Sequence, residues 1–207
     1  MNIAMSMLDS VGLMALLSVI LGTLLRTGLS KFQKSVAAGF LFGGGAVLSM
    51  MSPIAIMPGI IVDGRSVIIG LGAAFGGIPA AIVSAAIAAS YRVYLGGLGI
   101  IVAAILGTIW SRYLRPKGRI KVYHLVVVGV IISLQFAVAF LFPYEIAIKM
   151  IYDVYPIYFL ASVTSAVILG TLIERERRLI SSGASLKQAA ENDFLTGLAN
   201  RRSLQMA

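Results

Sequence analysis

The sequence contains no cysteine and a single histidine, His124. Without thiols there is no disulfide framework, no thiol nucleophile and no cysteine metal site, and one imidazole cannot form a histidine cluster. Charge is scarce as well: 12% of the 207 residues are Asp, Glu, Lys or Arg, against 59% hydrophobic. The apolar residues run in blocks rather than at helical or strand spacing, which no soluble core explains, so most of the chain is expected to lie in a membrane. The charge that is present is one-sided, 17 Lys and Arg against 8 Asp and Glu. These basic residues fall at the ends of apolar blocks, where they act as topology determinants and lipid headgroup contacts; nucleic acid is not an expected partner.

The first apolar block precedes the first basic residue, Arg26, and Asp9 lies before its main run. A secretory signal has the opposite charge order, so this block reads as a retained span with its N-terminus outside. Continuous apolar runs place spans near 7–25, 36–51, 98–114, 122–142 and 154–173. At about 1.5 Å per residue each crosses a hydrocarbon core of roughly 30 Å with modest adjustment, the run 36–51 being the weakest. Between Ser66 and Tyr91 two apolar halves flank Gly76-Gly77-Ile78-Pro79. Each would reach only about 16 to 21 Å as helix, too short to span comfortably alone. The segment is either one broken span or a re-entrant hairpin. Gly tolerates a sharp reversal and Pro starts a helix well, so Gly76, Gly77 and Pro79 fit a hairpin apex. Irregular backbone at that depth has to be covered by protein or line a cavity.

At the other end of the chain Asp193 to Arg202 read DFLTGLANRR. This string resembles the opening of GGDEF domains, the catalytic modules of diguanylate cyclases, with Asp193, Leu195, Thr196, Gly197, Leu198, Asn200, Arg201 and Arg202 filling the pattern D-x-L-T-G-L-x-N-R-R. The resemblance implies a cytoplasmic output domain of which 193–207 are the truncated start, a bound Mg2+ in the part beyond Ala207, synthesis of cyclic di-GMP from two GTP, and a homodimer. Catalysis is not expected within residues 1–207.

With that end cytoplasmic, a hairpin places 14 Lys and Arg inside and 3, Arg65, Arg92 and Lys149, outside, whereas a single broken crossing gives 12 and 5. The positive-inside rule favours the hairpin. The fold expected is therefore an all-α polytopic membrane protein of five transmembrane helices plus a re-entrant helical hairpin (66–91), followed by a cytoplasmic signalling helix. The domains are 1–173 for the membrane-embedded sensor, 174–192 for the linker helix and 193–207 for the GGDEF start, in a bacterial inner membrane.

In this topology Arg65 and Arg92 flank the outer mouth of the hairpin, where two guanidiniums suit a carboxylate. A helix starting near Ser66 adds N–H groups and its positive dipole end. Asp63 is placed to cap that helix or pair with Arg65, and Tyr91 and Tyr94 can supply hydroxyls and an aromatic wall. The stretch Asp63 to Leu106 resembles the core of the LytS/YhcK-type five-transmembrane receptor domain at Asp63, Arg65, Gly76, Gly77, Pro79, Tyr91, Arg92, Gly96 and Gly97, and Pro143-Tyr144-Glu145 with Ala147 and Lys149 adds a second similarity. That resemblance covers about residues 1–175. It implies a receptor coupled to a histidine kinase or GGDEF output, with a small organic anion bound by Arg65 and Arg92. Ala103 and Leu106 stand where pyruvate-sensing relatives have small polar side chains, which argues against pyruvate itself.

Glu145, Lys149 and Asp153 are expected in a solvated outer loop that could close as a lid, and Gln135 and His124 as structural hydrogen-bonding residues. Leu172, Leu179 and Leu186 recur every seven residues, hinting at a short coiled coil interrupted at Ser181-Ser182-Gly183. The alternative function is a membrane substrate-binding subunit of a transporter, which leaves the GGDEF opening unexplained.

Overall fold

Away from water a backbone must satisfy its own hydrogen bonds, and the apolar blocks accordingly fold into helices. The computed structural model describes residues 3–51, 54–57, 60–62, 64–91, 96–116 and 118–191, with side chains described from Val11 onward except at 52–63, 92–97, 117 and 184–191. The helices are α1 (Ile3–Arg26), α2 (Lys31–Met51), α3 (Arg65–Gly76), α4 (Ile78–Tyr91), α5 (Gly96–Ile109), α6 (Val122–Ser133), α7 (Tyr144–Lys149) and α8 (Tyr155–Glu191). Helix α5 ends in a π-helical turn (Trp110–Leu114), α6 continues as a 3-10 helix (Leu134–Leu141), and a π-helical turn (Met150–Val154) joins α7 to α8.

Three helical segments are long and apolar enough to cross a membrane: Lys31–Met51, Val122–Leu141 and Tyr144–Gly183. The first includes the run that looked weakest in sequence. It gains a turn at its start because Ser30 and Gln33 form a reciprocal cap, Gln33 N–H donating to Ser30 Oγ (3.3 Å) and Ser30 N–H to Gln33 Oε1 (3.0 Å). Among the described residues Val11–Arg26, Arg65–Gly76, Ile78–Tyr91 and Leu98–Leu114 form shorter apolar helices.

Three local features depart from the sequence reading. Ile54–Met57 (β1) and Ile60–Val62 (β2) pair as an antiparallel hairpin between α2 and α3; two short runs rich in β-branched residues suit strands better than helix. Glu145, Lys149 and Asp153 lie in helix and a π-turn, not in a solvated loop. Pro143 carbonyl accepts from the N–H groups of Ile146 and Ala147, and Ala147 and Val154 are buried, which anchors this segment to the bundle. Finally, α8 passes unbroken through Ser181-Ser182-Gly183 to Glu191, a rod of roughly 55 Å.

Helix α3 is the axis of the bundle, with every residue from Ser66 to Phe75 buried. It runs antiparallel to α2: Gly64, at its start, donates to Ser49 Oγ (3.0 Å), while Gly76, at its end, accepts from Ser35 Oγ (2.5 Å). Gly77 turns the chain with φ +83°, a left-handed value that glycine adopts without strain. Helix α4 then runs back along α2, Val83 packing at Gly39 and Ile87 at Gly43. On the other side of α3, Gly107 of α5 lies against the backbone of Gly70, and Ile132 of α6 covers Gly70. The bundle thus has two distinct ends. Arg26, Lys31, Lys34, Arg112, Arg115, Arg119, Lys121, Arg175, Arg177 and Arg178 gather where α3 turns into α4; Arg65 and Lys149 lie at the other.

Candidate functional site: the hairpin mouth and its tip

Two apolar helices joined by one glycine turn bring their free ends together, so the start of α3 and the end of α4 share one end of the bundle. Arg65, the first residue of α3, is partly buried there, and Ser66 beside it is only 3% exposed. Tyr91, the last residue of α4, is 55% exposed. Of the other residues assigned to the mouth from sequence, Asp63, Arg92 and Tyr94 lie outside the described residues. The helix start is fixed from two sides, since Gly64 N–H bonds to Ser49 of α2 and its Cα faces Met14 of α1.

One residue near this end carries more than sequence reasoning gave it. Gln135 Nε2 donates to Tyr158 Oη at 2.6 Å, while its Oε1 is buried and has no hydrogen-bond partner among the described residues. A Cβ at Gly99, one turn into α5, would approach that oxygen to 2.9 Å. A buried acceptor without a donor costs about 1–3 kcal/mol, so this oxygen suits a donor brought by a bound molecule or water. The signal in sequence was a lone amide in an apolar block; nothing there tied it to Tyr158, 23 residues on.

The tip of the hairpin is held by polar groups of α2 and α8 and by Arg115, just past the π-helical turn of α5. Ser35 Oγ donates to Gly76 carbonyl and accepts from Ala80 N–H (3.2 Å), bridging the end of α3 and the start of α4. Arg177 of α8 donates from Nη2 to Phe75 carbonyl at 2.7 Å. Carbonyls that the helix break leaves without intrahelical partners are therefore satisfied by protein, as a low-dielectric interior requires. Phe75 also receives two guanidiniums, Arg177 at 5.1 Å and Arg115 at 5.6 Å from its ring centroid, and Trp110 packs against it at 6.1 Å. Cations over an aromatic face are attracted by its quadrupole.

Arg115 and Arg177 sit beyond the apolar parts of α5 and α8. Burial, and after it the neighbouring Arg115, lower the Arg177 guanidinium to about 10, with Glu174 opposing both. Arg115 is lowered by burial and raised by Glu174. Arg177 therefore keeps its charge at neutral pH. Pro79 enters α4 in its first turn, where its missing N–H breaks no helical bond.

Residues 11–176 match the family model described as 5TMR of 5TMR-LYT. No curated protein and no solved structure matches the chain.

Proposed function

The chain belongs to the 5TMR-LYT receptor family, a multi-pass membrane family, and from that premise we propose that it is the membrane input domain of a diguanylate cyclase, binding a small extracytoplasmic organic anion and controlling cyclic di-GMP synthesis by a GGDEF domain that begins at 193. Five spans and a re-entrant α3–α4 hairpin make up the sensor, 1–173. The N-terminus faces out, the basic end of the bundle faces the cytoplasm in keeping with the positive-inside rule, and 174–192 form the linker.

Arg65 and Arg92 are the anion-binding arginines of this reading, with Ser66, Tyr91, Tyr94 and Asp63 around them. A guanidinium pair at a helix start offers a fork of donors and a favourable dipole to a carboxylate. The observation that carries the proposal is the path through α3. Its first residue is Arg65, its last carbonyls are held by Ser35 and by Arg177 of α8, and everything between is buried. A packed helix moves as a unit, so a displacement at the mouth reaches α8 where its charged linker begins. In a homodimer two such linkers lie side by side, and Leu179, 52% exposed, is available to pair them. Ligand shifts the balance between output states only by its differential affinity for them.

The test is a thermal-shift screen of the purified protein against small organic acids, repeated with Arg65→Ala. A ligand that binds only the folded form at a hundred times its Kd stabilises by about 2.7 kcal/mol. An acid that raises the melting temperature of the wild type and not of the variant supports the site; no such acid, or an equal rise in both, rejects it. Topology is tested separately by single cysteines, Arg65→Cys and Arg92→Cys, in this cysteine-free chain. Labelling of both by an impermeant reagent from outside is expected, and labelling from opposite sides rules out the hairpin.

A further inference from the structure

A cleft of about 550 Å3 opens at the basic end of the bundle, between the start of α6 and the charged turn of α8. It is separate from the hairpin mouth, which lies at the opposite end, and its volume falls within the roughly 300–1,000 Å3 of small-ligand sites. Its charged lining is unbalanced: Arg119, Lys121, Arg175 and Arg178 face it with Glu174 as the one carboxylate. That carboxylate is already engaged by Arg178 Nε at 3.5 Å. Arg178 is further positioned by its Nη2, which donates to Ile120 carbonyl at 3.4 Å. Thr171 adds a hydroxyl.

The rest of the wall is apolar. Ile120 and Leu125 are buried at its base, and Val122 is an exposed edge. Val122 continues along α6 into Val126, one turn further on and also exposed, so an apolar track leads from the cations towards the middle of the bundle surface. A phosphate held by four cations, with a hydrocarbon chain leaving along a valine ridge, matches this layout; a free inorganic anion leaves the apolar wall unused.

We propose that this cleft binds the phosphate group of an anionic glycerophospholipid, with Arg119, Lys121, Arg175 and Arg178 around the headgroup and one acyl chain along Val122 and Val126. Basic pockets between membrane helices are suited to such headgroups. Because Glu174, Arg175 and Arg178 belong to α8, occupancy also fixes the point at which that helix leaves the bilayer.

The experiment is native mass spectrometry of the full chain released from detergent, titrated with dioleoylphosphatidylglycerol or dioleoylphosphatidylcholine. One tightly bound phosphatidylglycerol is expected, and phosphatidylcholine more weakly. Arg119 and Arg175 are both exposed, so Arg119→Ala/Arg175→Ala tests the site with little demand on folding. Roughly fivefold loss per cation, about 25-fold for the pair, is expected. Arg119→Lys/Arg175→Lys should keep most of the affinity, and Lys31→Ala, a basic residue at the same end but outside the cleft, should keep all of it. Competition by millimolar sn-glycerol 3-phosphate distinguishes the source of the phosphate. No competition supports a lipid, and full displacement assigns the cleft to soluble phosphate esters and overturns the lipid. Equal affinity for the two lipids, or equal loss in Lys31→Ala and the double alanine variant, overturns the site itself.

Discussion

Arg177, six residues before the end of the third long apolar segment (Tyr144–Gly183), and Phe75, the penultimate residue of α3, are joined by a 2.7 Å hydrogen bond from guanidinium to carbonyl, although 102 positions separate them in the chain. The bond ties the tip of the buried hairpin to the helix that leaves the sensor.

Removing it with Arg177→Met keeps much of the side-chain volume and strips one donor from a carbonyl that the helix break leaves without an intrahelical partner. A loss of about 1.5–3 kcal/mol is expected, since the donor is charged. Denaturation of the purified protein measures it. A loss near zero means that the bond does not hold the tip.

The same pair has a defined pH behaviour. With Arg177 lowered to about 10 and higher than that when unfolded, both states hold the proton at pH 6–9, so stability has no slope from this group there. The burial penalty is fully present below about 10 and is relieved as pH rises from there towards the higher value of the unfolded guanidinium. The stability difference between wild type and Arg177→Met should therefore be flat from pH 6 to 9. A change of more than about 1 kcal/mol over that interval, roughly the value of one pKa unit, would contradict the assignment.

Gly107→Ala should be among the most damaging small substitutions. Its Cβ would meet the Gly70 carbonyl, a backbone group that cannot swing aside, and overpacking of this kind costs about 1–3 kcal/mol. Gly44→Ala, in α2, meets nothing within 4 Å and should be neutral or stabilising by up to about 1 kcal/mol. Melting temperatures of the two variants in one detergent make the comparison. Equal values would mean that α5 and α3 do not approach so closely.

Gly77→Ala isolates the turn. Nothing lies within 4 Å of the added carbon, but φ of +83° disfavours any side chain. A cost of about 1–3 kcal/mol is expected from conformation alone, because φ +83° with ψ −171° is essentially confined to glycine, and Gly77→Asn should recover none of it. An alanine variant as stable as wild type would show that the turn does not need the left-handed region.

Gln135 and Tyr158 invite a double-mutant cycle. Either Gln135→Leu or Tyr158→Phe alone removes the 2.6 Å bond between them, at about 1–3 kcal/mol, whereas the double variant should cost clearly less than the sum. Strict additivity would show that the two side chains do not act as a pair.

Gly76, Gly77 and Pro79 were legible as a turn because two of them permit a reversal and the third favours a helix start, and the structure turns at Gly77. Helix-forming blocks could be read for the same kind of reason: a long apolar run leaves the backbone no partner but itself. Ser30 and Gln33 held the true start of α2 in plain view as a capping pair, yet the polar residues Lys31, Gln33, Lys34 and Ser35 masked it from an argument based on hydropathy. Glu145, Lys149 and Asp153 led the other way, since their mixed charges suggested a solvated loop, and only the burial of Ala147 and Val154 explains the helix found there. That Arg65, Ser66 and Tyr91 stand at the two free ends of one helical hairpin followed from their place in the chain, while the contact of Gln135 with Tyr158 did not, because it joins two different helices.

Composition and block pattern alone determined that this chain is a helical membrane protein with a basic end, since hydrogen bonding in lipid and the placement of cations at the edges of apolar runs are properties of local sequence. Which surfaces meet was decided only in three dimensions. That α3 lies at the centre, that its tip is held by Ser35 and Arg177, and that four cations surround a cleft beside α6 all depend on packing between segments far apart in the chain, where shape and partner, not local hydropathy, set the free energy.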